Sequence, residues 1–281
     1  MSRALLFLVV GLGWAGALPA QSMQSFTTYR QLHGDAKLAA RLEFAAGQLR
    51  VRPTQANDLY RMTLSYDSER FAPLSQFDVG TGVVTLGVEP ARRAGLRVVS
   101  SDQMQQLAAV ELSPRVDLAL DVALGATEAD LDLGGLRVSQ LKLQTGASRT
   151  TLRFSHPNGI RCTGAAISSG AAEVVVTGLA NSRCDEIAVE GGMGRVTLDF
   201  GGTLSATQRA AVRMAVGELV LRVPKGVPVR LTTDRFLTRF EPKGLVRRGD
   251  AWETPGYSQS ARHLEVALTA AVGGIKLEWI D

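Results

Sequence analysis

The chain has 281 residues, 45% hydrophobic and 21% charged, with 29 glycines and a formal net charge of +4. That length suffices for a buried core, and the composition excludes a disordered chain. The basic residues are scattered, with no Lys/Arg block longer than the pairs Arg92-Arg93 and Arg247-Arg248, which excludes the concentrated basic face of a nucleic-acid binder.

Residues 1–20 read as a secretory signal peptide: Arg3, the apolar run Ala4 to Leu12, then small residues that permit cleavage after Ala17 or Ala20. The run is short for a stable membrane span, and no cysteine follows it to carry a lipid. The expectation is an exported protein, periplasmic or extracellular, with no stable span after cleavage. Gly11 to Gly16 matches the dinucleotide pattern GxGxxG, but it lies inside this leader and has no βαβ context.

Residues 21–110 form a β-rich N-terminal region. Gly47 to Arg52 and Gly82 to Gly87 alternate like strands, Leu38 to Leu49 fits a strand or a short helix, and Leu112 to Arg115 reads as a joint.

Residues 111–281 are repetitive. A small residue, a second position that is usually polar and then strict alternation recur from positions 127, 148, 172, 194 and 217, at gaps of 21, 24, 22 and 23 residues, and once more from 273. The last gap, of 56, leaves room for two longer turns. A second alternating strand precedes most units, as at Leu118 to Val122 and Leu264 to Leu268. The pattern predicts an all-β fold: a β-solenoid, parallel β-helix-like, built of repeats of about 22 residues with short strands and stacked on the N-terminal region as one unit. Gly191, Gly192 and Gly194 then sit at a corner; a phosphate loop would need GxxxxGK[ST] leading into a helix.

In register, Leu131, Leu152, Val176, Leu198, Leu221 and Leu277 form one buried column, and Leu133, Phe154, Gly178, Phe200, Val223 and Trp279 a second. Between them an outward column sets Asp132 beside Arg153 and Asp199 beside Arg222. Cys162 and Cys184 are one repeat apart, so neighbouring rungs place them roughly 4.8 Å apart, within disulfide reach. In an exported protein a Cys162–Cys184 bond is expected.

Chemistry-bearing residues are sparse. His33, His156 and His263 lack metal-ligand spacing and read as turn or surface residues. Glu128, Asp130, Asp132, Glu173, Asp185, Glu186 and Glu190 could supply a hydrolase pair, or Asp130 and Asp132 a calcium site, but alternating acids more often form the wet face of a strand. Trp252 and Tyr257 could stack on a sugar or dock a partner; the favoured reading is a cap on the last rung. No catalytic residue, cofactor site or metal site is assigned.

Two stretches carry a family resemblance. DLALDVALGATEADLDLGGLRVSQLKLQTGASRTTLRF, Asp117 to Phe154, resembles exported toast-rack domain proteins. The tail Gly249 to Ile280, with LVLRVPKGV at Leu219 to Val227, is similar to the C-terminal domain of LiaF-like cell-wall-active antibiotic response proteins. The resemblance covers most of residues 40–281. It implies an all-β domain that regulates through protein contacts, although LiaF-like proteins carry membrane helices ahead of this domain.

The expected function is therefore a non-enzymatic binding or scaffold module of the cell envelope, possible partners being an envelope protein or a cell-wall glycan, with a link to envelope stress. The alternatives are a carbohydrate-active envelope enzyme and an adhesin-like self-associating protein.

Overall fold

The computed structural model describes residues 22–91 and 106–281. Residues 1–20, where a signal peptide is expected, with their GxGxxG segment, and the Arg92-Arg93 pair lie outside the described residues. Sixteen strands join in one hydrogen-bonded sheet, and the described residues contain no α-helix, only single 3₁₀ turns at Leu179–Ser182 and Tyr257–Gln259. The strands are β1 Met23–Gln31, β2 Lys37–Pro53, β3 Asp58–Asp67, β4 Phe71–Asp78, β5 Val83–Pro90, β6 Leu107–Leu112, β7 Asp117–Asp132, β8 Arg137–Thr145, β9 Arg149–Arg153 and β10 Cys162–Thr177. They continue as β11 Cys184–Asp199, β12 Gln208–Pro224, β13 Val229–Phe240, β14 Val246–Arg248, β15 Ala251–Glu253 and β16 Leu264–Ile280. Leu38 to Leu49 is strand, within β2.

The centre of the molecule is a parallel ladder in the order β2, β7, then β8 and β9 together, β10, β11, β12, β16 and β13. Its strands are not short. What reads as strand, corner, strand is one bent strand of 16 residues in β10 and 17 in β12. Only the rung of β8 and β9 breaks into two pieces.

Each bent strand has two arms, and the inward parity slips by one at the bend. In β12, Ala210, Val212 and Met214 point inward before the corner, and Leu219, Leu221 and Val223 after it. The two arms so enclose one core, whose side chains stack rung on rung. The column Leu131, Leu152, Val176, Leu198, Leu221, Leu277 pairs residue to residue and is buried throughout. Each such side chain stabilises by about 1.5–3 kcal/mol through burial. In the second column Trp279 is only half-buried, and Gly178 leaves the strand with φ +72°.

Glycine makes the bend possible. Gly194, Gly217 and Gly273 are register partners with φ of +125°, +137° and +136°, where a side chain is strained. A Cβ on Gly273 would lie 1.8 Å from the Gly217 carbonyl oxygen, and one on Gly217 1.9 Å from that of Gly194. The rungs approach this closely only because the Cβ is missing.

The order of the last strands differs from a simple coil. The 56-residue gap holds a whole rung: β16 pairs with β12 on one side and β13 on the other, so the last strand in sequence is not the last in space. The β14–β15 hairpin covers β13 at Arg230 to Thr232. At the opposite end β5 and β6 pair with the two arms of β2, and β4, β3 and β1 continue antiparallel. There Ser75 Oγ donates to Thr28 Oγ1 at 3.1 Å and Arg30 stacks on Phe77, tying β4 to β1.

Cys162 and Cys184 are bonded, with Cα atoms 4.1 Å apart, as register partners of β10 and β11. Both are buried.

Gly273→Ala should lower thermal stability strongly, by roughly 2–4 kcal/mol, whereas the adjacent Gly274→Ala, whose added Cβ meets nothing within 4 Å, should stay within about 0.5 kcal/mol. Calorimetric melts of the two variants check this.

Candidate functional site

The outer faces of the two arms are built by register. Successive rungs offset the same column by one strand, so opposite charges one repeat apart become neighbours. Arg149 pairs with Glu173, Arg161 with Asp185, Arg209 with Glu186 and Arg213 with Glu190. Asp130 lies between Arg52 and Arg153, the latter at 2.6 Å. Glu218 is shared by Lys276 and Arg195, which hold its carboxyl below the ordinary value, Lys276 the more strongly. Exposed pairs of this kind are worth about 0.2–1 kcal/mol each, so they fix register more than they stabilise.

Those pairs occupy most of the acids that could have served a hydrolase. A cation at Asp130 would have to displace two guanidiniums. Two expected pairs are not formed, although the residues are register partners. Asp132 Oδ1 accepts from Gly134 N at 3.0 Å and Ser155 Oγ at 2.8 Å, and Asp199 Oδ1 accepts from Gly201 N. Each aspartate ends its strand two residues before a glycine, so it caps the turn instead. Arg153 goes to Asp130, and Arg222 to Glu278 at 2.8 Å. Burial pushes Asp132 up, but the Gly134 and Ser155 donors, with Arg153 behind them, outweigh it and hold the carboxyl low. Glu128 meets only Gln48, at 3.5 Å.

The C-terminal end gathers a polar cluster around Glu265. Trp252 is half-buried on β15, opposite Leu231 of β13, with its ring edge-on to Phe240 at 6.5 Å. It covers the end of the core. Tyr257 is also half-exposed; its hydroxyl donates to Glu265 Oε1 at 3.0 Å, and its ring meets His263 at 4.8 Å. His263 faces the Ser260 carbonyl through Nδ1 and Glu265 through Nε2. Arg209 reaches the other Glu265 oxygen at 3.4 Å. Burial would raise Glu265, but Tyr257, His263 and Arg209 together lower it; burial, then the hydrogen bond to the Glu265 carboxylate, pushes Tyr257 to about 12. A groove of about 420 Å³ runs beside this cluster, past Glu186, Arg209, Arg230 and Glu265.

Sequence reasoning named Tyr257 but missed the cluster around it. His263 immediately precedes β16 and lies two residues before Glu265, and Arg209 is the register partner of Glu265. That partnership depends on the late insertion of β16. His33 and His156 make only local contacts, to the Gln31 carbonyl and the Ser155 hydroxyl. Among the described residues no group of three or more His, Cys, Asp or Glu is placed to hold a metal, and no helix is long and apolar enough to cross a membrane.

Residues 19–177 match the family model for the N-terminal domain of toast_rack, DUF2154. The chain belongs to this family. No curated protein matches the chain. Of solved structures, a candidate cell adhesion protein from Clostridium sporogenes is 16% identical, covering 92% of this chain and 100% of that one with a TM-score of 0.52. At that identity the likeness concerns fold. A candidate adhesin from Bacteroides fragilis, 10% identical, covers 92% of this chain and 98% of that one at a TM-score of 0.40.

Tyr257 is protonated in the folded state to higher pH than in the unfolded chain, so its contribution is intact below about pH 10 and is lost as pH rises through about 12. Alkaline unfolding curves of the chain and of Tyr257→Phe should therefore diverge below that window and converge above it.

Proposed function

We propose that this toast_rack protein is an exported β-solenoid of the cell envelope that binds or scaffolds and catalyses no reaction, working as an adhesin-like module. In this reading residues 1–20 are a signal peptide, and regions 21–110 and 111–281 form one continuous stack. The observation that carries it is the use of the outer-face acids: Asp130, Glu173, Asp185, Glu186 and Glu190 are bound up in cross-rung ion pairs on flat, mixed-charge faces. A hydrolase needs two carboxyl groups free to face each other across a cleft. The buried disulfide supports an oxidising compartment. The fold shared with a candidate cell adhesion protein supports a contact role.

Partners in this reading are an envelope protein or a cell-wall glycan, and the link to envelope stress belongs to the proposal. The half-exposed rings of Trp252 and Tyr257 offer the contact at the C-terminal end.

The test is to fractionate cells producing the chain and to incubate the purified protein with cell-wall sacculi and with solubilised envelope proteins. The expected result is recovery in the envelope fraction and retention on one of the two, weakened at least tenfold by Trp252→Ala or Tyr257→Ala variants that still melt cooperatively. Release of new sugar reducing ends, lost in Asp130→Asn, would replace this reading with the enzyme.

A further inference from the structure

The parity slip at the corner has a by-product. Where inward positions change from one set of alternate residues to the other, two consecutive side chains must point outward. In β10 and β11 these are Gly170-Ala171 and Gly192-Met193; in β12, β16 and β13 they are Ala215-Val216, Ala271-Val272 and Phe236-Leu237. Register sets Ala171, Met193, Val216, Val272 and Leu237 in single file across five rungs. They stand proud of the surface: Met193 is 60% exposed, Val216 and Val272 43%, Leu237 65%, and Phe236 beside it 78%. Half of the large hydrophobic residues exposed on the described protein lie on this one corner.

Beside the ridge, across β10, β11 and β12, runs a shallow, open trough. Ala172, Gly194 and Gly217 floor it, Glu173, Arg195 and Glu218 form its far wall, and its volume is about 650 Å³. One face of the molecule therefore carries both an apolar ridge and an open channel at the same rung spacing.

We propose that this corner binds a second copy of the chain about a two-fold axis, each ridge lying in the other's trough. Such an interface requires one patch to hold both knob and hole, and this one does. Three features favour this occupant. The ridge is graded: its first column runs Gly170, Gly192, Ala215, Ala271, Phe236, so a two-fold axis at β12 sets the bulky end of one copy against the small end of the other. The wall column alternates Glu173, Arg195, Glu218, then Gly274 and Arg239. The same axis brings Glu173, which also holds Arg149, level with the partner copy's Arg239, and it sets Glu218, already neutralised by Lys276 and Arg195, opposite its own copy. Third, the competing route of end-to-end strand pairing is guarded. The hairpin covers β13 at Arg230 to Thr232, and Arg235 occupies an inward position with its guanidinium 5.5 Å from the Phe240 ring. An inward charge on a terminal strand blocks further stacking.

Five rungs at about 4.8 Å give a ridge roughly 20 Å long, which places the contact at the small end of specific interfaces and makes a weak, reversible dimer the expected state. The inference stands on the corner alone and does not require the envelope reading; a chain that dimerises without reaching the envelope would satisfy one and fail the other.

Sedimentation equilibrium of the purified chain between about 1 and 500 µM tests it. The expected result is a reversible monomer–dimer equilibrium that weakens at least tenfold in Val216→Asp and in Phe236→Asp. Val79→Asp, which charges an exposed hydrophobic residue elsewhere, should leave it unchanged. Val216→Cys provides a readout independent of folding losses: with Cys162 and Cys184 already bonded, mild oxidation should give a disulfide-linked dimer, and Val79→Cys should not. A chain monomeric throughout, a dimer indifferent to the corner variants, or open-ended growth with concentration would overturn the proposal. So would a monomer that sediments with phosphatidylglycerol vesicles through the same residues, which would reassign the ridge to lipid.

Discussion

Everything in this molecule depends on the closeness with which successive rungs pass one another at the corner. A parallel ladder holds its strands at one spacing, and at three successive rungs that spacing leaves no room for a side chain at the bend. The column of Gly194, Gly217 and Gly273 meets the condition by removing the side chain where the neighbouring carbonyl arrives. With the bend in place the two arms face each other, the leucine and valine columns close between them, and the charged positions are left outside in rows. Core, ion pairs and corner ridge are three results of the same register.

How much of this could be read from the residues depends on which feature carried a period. The column from Leu131 to Leu277 and the cysteine pair were legible because alternation and repeat spacing fix both the face and the neighbour. The ion pairs were legible only in kind. Asp132 and Asp199 were set beside arginines correctly, but the glycine two residues on gave each carboxylate a closer, local donor. The placing of β16 between β12 and β13 left no mark, since alternation says which face a residue takes and not which neighbour a strand selects. The antiparallel end formed by β1, β3 and β4 was likewise hidden, because it departs from the repeat.

The candidate contacts show the same division. Trp252 and Tyr257 stood out as aromatics in a short loop, and both lie at the capped end. The corner ridge did not stand out, although a trace of it is present in the text of the chain: Met193-Gly194, Val216-Gly217 and Val272-Gly273 each place an apolar residue before the corner glycine. Each alone is an ordinary exposed hydrophobic residue. They become a surface only when register aligns them, and the parity slip that turns them outward is invisible where both corner residues are small, as at Gly125-Ala126.

The late strand β16 has a further consequence for how the molecule is assembled. A chain that emerges from its N-terminus can lay down rungs one after another as far as β12, each docking on a finished neighbour. It cannot do so for β13, whose only full-length neighbour is made last. Until the final 17-residue strand arrives, the hairpin and β13 have nothing to close against, and β12 presents a bare edge along its whole length. The closing step therefore falls to the end of synthesis and joins segments far apart in the chain, the kind of step that is slow and exposed to capture by other chains.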